Sequence, residues 1–147
     1  MKLGLQSSYA IEGLLVLAEK PFGTVMLLRE IAVAGSLPEN FLAKIFQKLA
    51  RAGVLVSSRG VVRGYALARK PKDLSVKEIL LPLEGSNFLE RCIFWSHRCA
   101  DADPCPLHFR WKQLRQKVVG ELMERTTLKD LAEARRIRTE QTGLKSN

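Results

Sequence analysis

The sequence predicts a mainly α-helical chain with one small β-hairpin: a winged helix–turn–helix unit followed by a long C-terminal helix. Three observations predict it. Three helix-like segments separated by turn residues precede Gly53. Two short β-rich stretches then flank a turn rich in glycine and arginine. Last, an apolar repeat at Leu107, Trp111, Leu114, Val118 and Leu122 advances in steps of 4, 3, 4 and 4, the spacing of one helical stripe that needs a partner surface.

In chain order, Ser7 to Glu19 reads as an amphipathic helix, with Ala10, Leu14 and Leu17 at helical spacing, broken by Pro21 and Gly23. Met26 to Ala34 reads as a second helix closed by Gly35. Ser36-Leu37-Pro38-Glu39 has the form of a capping box, in which Ser36 accepts from the Glu39 amide and Glu39 reaches back. The third helix then places Leu42, Ile45, Phe46 and Leu49 on one face and ends at Gly53. Val54 to Ser57 and Tyr65 to Ala68 read as strands around the basic tip Ser58 to Gly64. Helix, helix, helix and hairpin is the order of a winged helix–turn–helix. Ser75-Val76-Lys77-Glu78 is a second capping box, with Leu74 and Ile79 as its hydrophobic staple, and its helix stops near Pro82 and Gly85. Pro106 suits the first turn of the long helix, and Thr127-Leu128-Lys129-Asp130 starts a last short one. The expected layout is a DNA-binding unit over residues 1–84, a loop over 85–105, dimerisation helices over 106–134 and a mobile polar tail over 135–147.

The formal net charge is +9. Met1 to Leu80 holds 12 basic and 6 acidic residues, whereas Leu81 to Asn147 holds 12 and 9. The excess therefore sits with the helices and hairpin, and a polyanion is the partner such a balance suits. On the third helix Asn40, Lys44, Gln47 and Lys48 oppose the apolar face, with the small Ala43 among them. Asn and Gln can bond adenine edges, and Lys can meet guanine or phosphate. Arg59 and Arg63 sit at the hairpin tip, where arginine enters a minor groove or grips phosphate. These six residues are the DNA-binding candidates, with double-stranded DNA as partner. No apolar run spans a membrane and no secretory pattern opens the chain, so a cytoplasmic protein is the expectation. A glycine-rich phosphate loop, a Ser/His/Asp order and an HExxH are all missing, so no enzyme is expected.

Ser86 to Pro104 shows no periodicity, and loops of that length inside compact chains are usually functional or disordered. All three cysteines lie in it or at its edge, spaced Cys92-x6-Cys99-x5-Cys105-x2-His108. In a reducing compartment thiols so grouped point to metal rather than to a disulfide framework. Thiolates select zinc or iron–sulfur centres over hard cations, and the spacing is neither a paired zinc ribbon nor a ferredoxin run. Cys92, Cys99 and Cys105 are the candidate ligands, His108 the candidate fourth and His97 a weaker one. Phe94 and Trp95 are expected to cover the site rather than to ligate.

Taken together these segments resemble the IscR/NsrR family of winged-helix regulators, which sense through iron–sulfur clusters. The resemblance runs from Met1 to about Ala134. It is carried by Met1-Lys2-Leu3 with Tyr9-Ala10, by Leu42, Phe46, Leu49 and Gly53-Val54-Leu55-Val56, by Ser58-Arg59-Gly60 with Gly64-Tyr65, by Cys105-x2-His108-x2-Trp111, and by Thr127-Leu128-x-Asp130-Leu131. It implies a transcriptional regulator responding to iron, redox or nitric oxide status. It also implies a homodimer through Pro106 to Arg125, a cluster on Cys92, Cys99 and Cys105, and a palindromic operator read by one helix per half-site. Three positions depart from the family. Arg63 replaces a glycine before Gly64, Ala43 stands where IscR-like members carry glutamate, and Ser8 stands where NsrR-like members recruit a partner aspartate. The last favours His108 as fourth ligand and a 2Fe-2S cluster; a 4Fe-4S cluster on three cysteines and an external ligand is the other form. Structural zinc on the same four residues is the alternative reading.

Overall fold

The computed structural model describes residues 3–143. Helix α1 (Leu5–Ala18) is the central element, and its Ala10, Leu14, Leu15, Val16 and Leu17 are all buried. It packs on α2 (Leu28–Gly35) and α3 (Glu39–Arg51) through Ile31, Ala32, Leu42, Ile45, Phe46 and Leu49. No side chain of its own caps α1. Glu84 does so instead, taking the Gly4 N–H at 2.8 Å and the hydroxyl of the fully buried Ser7 at 2.6 Å. A carboxylate at that end satisfies unpaired amides and meets the positive pole of the helix.

The turn between α2 and α3 differs from the expected capping box. Ser36 adopts the left-handed conformation, φ 52°, and closes α2, with its N–H bonded to Val33 O and that of Leu37 to Ala32 O. Pro38, not Ser36, precedes the first turn of α3, which has no side-chain cap. Leu37 is drawn against the core, and tucking it under requires the reversal at Ser36.

Strands β1 (Leu55–Arg59) and β2 (Arg63–Leu67) pair antiparallel, with Arg59 opposite Arg63. Met26 adds a bridge to Tyr65, exchanging bonds of 3.0 and 2.8 Å. That bridge explains Gly64, whose φ is +138° and where a Cβ would lie 2.1 Å from the Met26 carbonyl oxygen. Only glycine lets the two backbones meet there.

Helix α4 (Val76–Glu84) begins with the expected box: Glu78 N donates to Ser75 Oγ, and Ser75 N donates to Glu78 Oε2 at 3.0 Å. The backbone N–H of Ser75 holds the Glu78 carboxyl below its ordinary range, with Arg69 adding a hydrogen bond and its charge. A carboxylate that titrates lower folded than unfolded stabilises above the ordinary carboxylate range, and that stabilisation is lost as pH falls through the lowered value. Glu78→Ala is therefore expected to cost about 1 kcal/mol near neutral pH, mostly the cap rather than the solvent-screened pair with Arg69. The gap should close as pH falls from neutral to below the ordinary carboxylate range, as paired urea titrations at neutral and acid pH would register.

Beyond Gly85 the chain makes a short 3-10 turn (Ser86–Glu90) and an irregular loop, then enters α5 (His108–Lys117). The expected long helix does not continue as one α-helix, because Val118–Glu124 is π-helical. Phe88 and Met123 join Val76 and Leu80 in a second small core. Helix α6 (Leu128–Gly143) opens with the Thr127–Asp130 box and runs through most of the segment expected to be a mobile tail. Arg135 explains part of this, pairing with Glu12 of α1 and with Glu19 just past its end. Residues 144–147 lie outside the described residues. Leu128 is fully buried in the main core, with Leu131 and Ala132 against it, so α6 packs on the helical unit.

Candidate functional site

Asn40, Lys44, Gln47 and Lys48 are all exposed on the face of α3 opposite its buried leucines. Lys48 Nζ donates to Gln6 Oε1 of α1 at 3.1 Å, a tie that sequence periodicity gave no means of seeing. At the wing, cross-strand partners project from the same side of a hairpin. The pairing of Arg59 with Arg63 thus sets two cationic side chains on the same side of an exposed tip. Like charges directly opposite each other across a hairpin are unfavourable, and a bound anion relieves that. The tip is closed by Ser58, whose hydroxyl donates to the Val62 carbonyl.

The cysteine loop is built from its backbone. Arg91 bridges Arg98, Cys92 N donates to His97 O at 3.1 Å, and Cys99 N donates to Glu90 O at 2.9 Å. This narrow loop brings Cys92 and Cys99 to its base. Cys105 lies one turn before α5, its carbonyl accepting from His108 N at 2.9 Å. Three side chains of α5 pin the loop: Trp111 Nε1 donates to Arg91 O, Arg115 to Glu90 O, and Lys112 pairs with Asp101 at 2.8 Å.

Two of the donors meet directly. Cys99 Sγ is 3.3 Å from His108 Nδ1, while His108 Nε2 is 2.7 Å from Asp101 Oδ1. A carboxylate only accepts, so Nε2 carries the proton, and in the neutral ring Nδ1 then presents its lone pair towards Cys99. A ligating histidine needs that arrangement, with the remote nitrogen held by a carboxylate. The N–H groups of Trp95 and Phe94, each 3.4 Å from Cys92 Sγ, favour the thiolate and lower its pKa. Cys105 is buried, and burial, with Cys92 and Cys99 close by, pushes its thiol up. Asp101 is held below its ordinary range by Lys112 and His108.

Among the described residues no three His, Cys, Asp or Glu side chains stand ready-made at cation-ligand spacing; Cys99 and His108 bond directly to each other. The donor set still fits a soft metal by its chemistry: three thiols, with Cys92 and Cys99 close enough to bear on Cys105, and one imidazole whose Nε2 is held by a carboxylate. His97 is not among them. It stacks on Trp95 at 5.1 Å and faces Asp103 at 3.7 Å. Nor do Phe94 and Trp95 cover the site as expected; their rings are exposed and their backbone amides do the work. Asp101, which orients His108, was missed because nothing in its spacing marks it.

Residues 3–134 match the family described as Rrf2, iron-dependent transcriptional regulator. The chain is 36% identical over 131 residues to an HTH-type transcriptional regulator of Synechocystis sp., covering 89% of this chain and 87% of that one. It is 30% identical to CymR of Bacillus subtilis over 132 residues, 90% of each chain. The solved structure of that protein, described as the global cysteine regulator of its bacterium, superposes with a TM-score of 0.74, 28% identity, and 91% of this chain and 98% of that one covered. An IscR from T. potens superposes with a TM-score of 0.70 at 28% identity, covering 91% of this chain and 88% of that one. These relatives are transcriptional regulators rather than enzymes. By sequence and by fold, the chain belongs to the Rrf2 family of winged-helix transcriptional regulators.

Proposed function

We propose that this regulator binds DNA under the control of an iron–sulfur cluster held by Cys92, Cys99, Cys105 and His108, with 2Fe-2S as the form an imidazole ligand favours. The observation that carries the reading is the Cys99–His108–Asp101 array beside the Cys105 thiol. A bound cluster would supply a centre whose occupancy follows iron supply and oxidants. The chain's own residues do the rest. Cys92 and Cys99 hold the two legs of the loop, Cys105 and His108 hold the start of α5, and Trp111 and Arg115 transmit the loop's position to that helix. Tightening or loosening the loop would alter how two α5 helices meet in a homodimer, and with it the separation of two reading heads on a palindromic operator.

In each head α3 enters the major groove with Asn40, Lys44, Gln47 and Lys48, and Arg59 and Arg63 grip the adjoining minor groove or phosphates. The DNA half of the proposal is tested by affinity against salt. With six to ten phosphate contacts, affinity should fall about 10³- to 10⁵-fold between 50 and 200 mM salt. Arg59→Ala should weaken binding to all sequences and flatten that slope by about one unit. Binding indifferent to both salt and Arg59 would remove α3 and the wing as the reading surface.

A second reading keeps the DNA surface and puts zinc on the same Cys3His donors, which suit it equally well. Zinc would brace the loop without redox response. Visible absorption with metal analysis of the anaerobically isolated protein separates the two, since only an iron–sulfur cluster is coloured.

A further inference from the structure

Helix α3 buries Leu42, Ile45, Phe46 and Leu49 and leaves one large apolar side chain outside, Phe41, 58% exposed. Its placement on the helix is specific. At 3.6 residues per turn, Phe41 lies about 20° from Lys48 and about 60° from Lys44 around the axis. It therefore lines one edge of the polar face that carries Asn40 and Gln47, on the side where Lys48 meets Gln6 of α1. Lysines and amides on that face are satisfied by water; a phenyl ring is not, and its exposure is removed only by an apolar contact. In a major groove each base pair shows hydrogen-bonding groups, and thymine alone adds an apolar one, its 5-methyl.

Resting on the reading that α3 enters the major groove, we infer that Phe41 recognises the 5-methyl group of a thymine, and so selects a T·A pair at one position of each half-site. The neighbouring cations fit this role. Lys44 and Lys48 follow Phe41 along the same edge by about 4.5 and 10.5 Å, so phosphate or guanine contacts by either would press the ring towards the base edges. Ala43, with a single methyl, crowds none of that approach.

The test uses the full-length protein and duplexes it enriches from a random-sequence pool. Each thymine is replaced in turn by deoxyuridine, which removes the 5-methyl and nothing else. One thymine per half-site should lose about 4-fold in affinity on replacement, the factor expected for burying one methyl-sized group, and about 15-fold when both half-sites are changed. With Phe41→Ala the thymine and uracil duplexes should bind alike, while Phe41→Leu should keep part of the difference. Because Phe41 is exposed, the thermal unfolding of both variants should match the parent. The inference is overturned if no uracil replacement weakens binding, or if Phe41→Ala leaves the methyl effect intact, as it would if Phe41 serves a protein contact instead. Salt-sensitive binding surviving either result leaves the major-groove reading standing; failure to enrich any duplex removes both.

Discussion

Cys105→Ser is expected to leave the anaerobically reconstituted protein without a visible chromophore and with iron at or below about a tenth of the parent's, the scale on which even supporting residues alter metal affinity. The argument starts from the donor atom. A serine hydroxyl stays protonated at neutral pH and is a hard ligand, whereas iron–sulfur centres are held by thiolates. Cys105 occupies the buried corner of the group, in contact with the turn that starts α5 and close enough to Cys92 and Cys99 that their charge bears on it. Its oxygen analogue removes one ligand and keeps the shape, so unfolding of the metal-free variant should stay near that of the metal-free parent. Cys92→Ser and Cys99→Ser should behave alike. Asp101→Asn is the more discriminating change, because it touches no metal. It takes the carboxylate from His108 Nε2 and should lower metal affinity about 10- to 100-fold, as loss of a ligand-orienting partner does. A fully coloured Cys105→Ser protein would overturn the ligand set. A colourless parent with one zinc per chain would transfer the site to the zinc reading.

The parts of this site that could be read in the sequence are those whose cause is local. The Ser75–Glu78 box is made by residues three apart and forms as its spacing says, and Thr127 with Asp130, read as the start of the last helix, makes the same pair of bonds. The box at Ser36–Glu39 has the same spacing and fails, because burying Leu37 sets the backbone at Ser36 and a local signal cannot weigh that tertiary demand. The apolar stripe from Leu107 to Leu122 announced a helix, but its steps of 4, 3, 4 and 4 do not distinguish an α-helix from one that relaxes into a π-helical turn after Lys117. Three cysteines and a histidine in one stretch announced a thiolate site. Asp101 did not announce itself, since its value depends on a loop fold that sets it against His108 and Lys112. Glu84 is hidden for the same reason, capping a helix that begins some eighty residues earlier in the chain.

Leu114→Glu is expected to turn the protein into a monomer by light scattering and to lower its affinity for a two-half-site duplex by about 10²- to 10⁴-fold, the advantage of tethering two binding modules that dimerisation supplies. The stripe is visible on the folded chain as surface that nothing covers. Leu107, Leu114 and Leu122 are 45, 54 and 56% exposed, with Trp111 and Val118 half-buried between them. Covering a leucine side chain fully stabilises by about 1.5–3 kcal/mol, so three per chain on both sides of a two-fold contact give a substantial apolar core to an interface. Near such an axis Leu114 of one copy faces the same stripe of the other, and a glutamate there buries charge against apolar surface or against its own symmetry mate, at a cost of several kcal/mol. The monomer should keep its fold, because the side chain is outside both cores, and matching circular dichroism and melting would verify that. It should also keep its chromophore, since the Cys99–His108–Asp101 array belongs to one chain. Colour retained with DNA affinity lost would separate the dimer's role from the cluster's. A Leu114→Glu protein that still runs as a dimer would place the partner surface elsewhere and leave the exposed stripe from Leu107 to Leu122 without its proposed role.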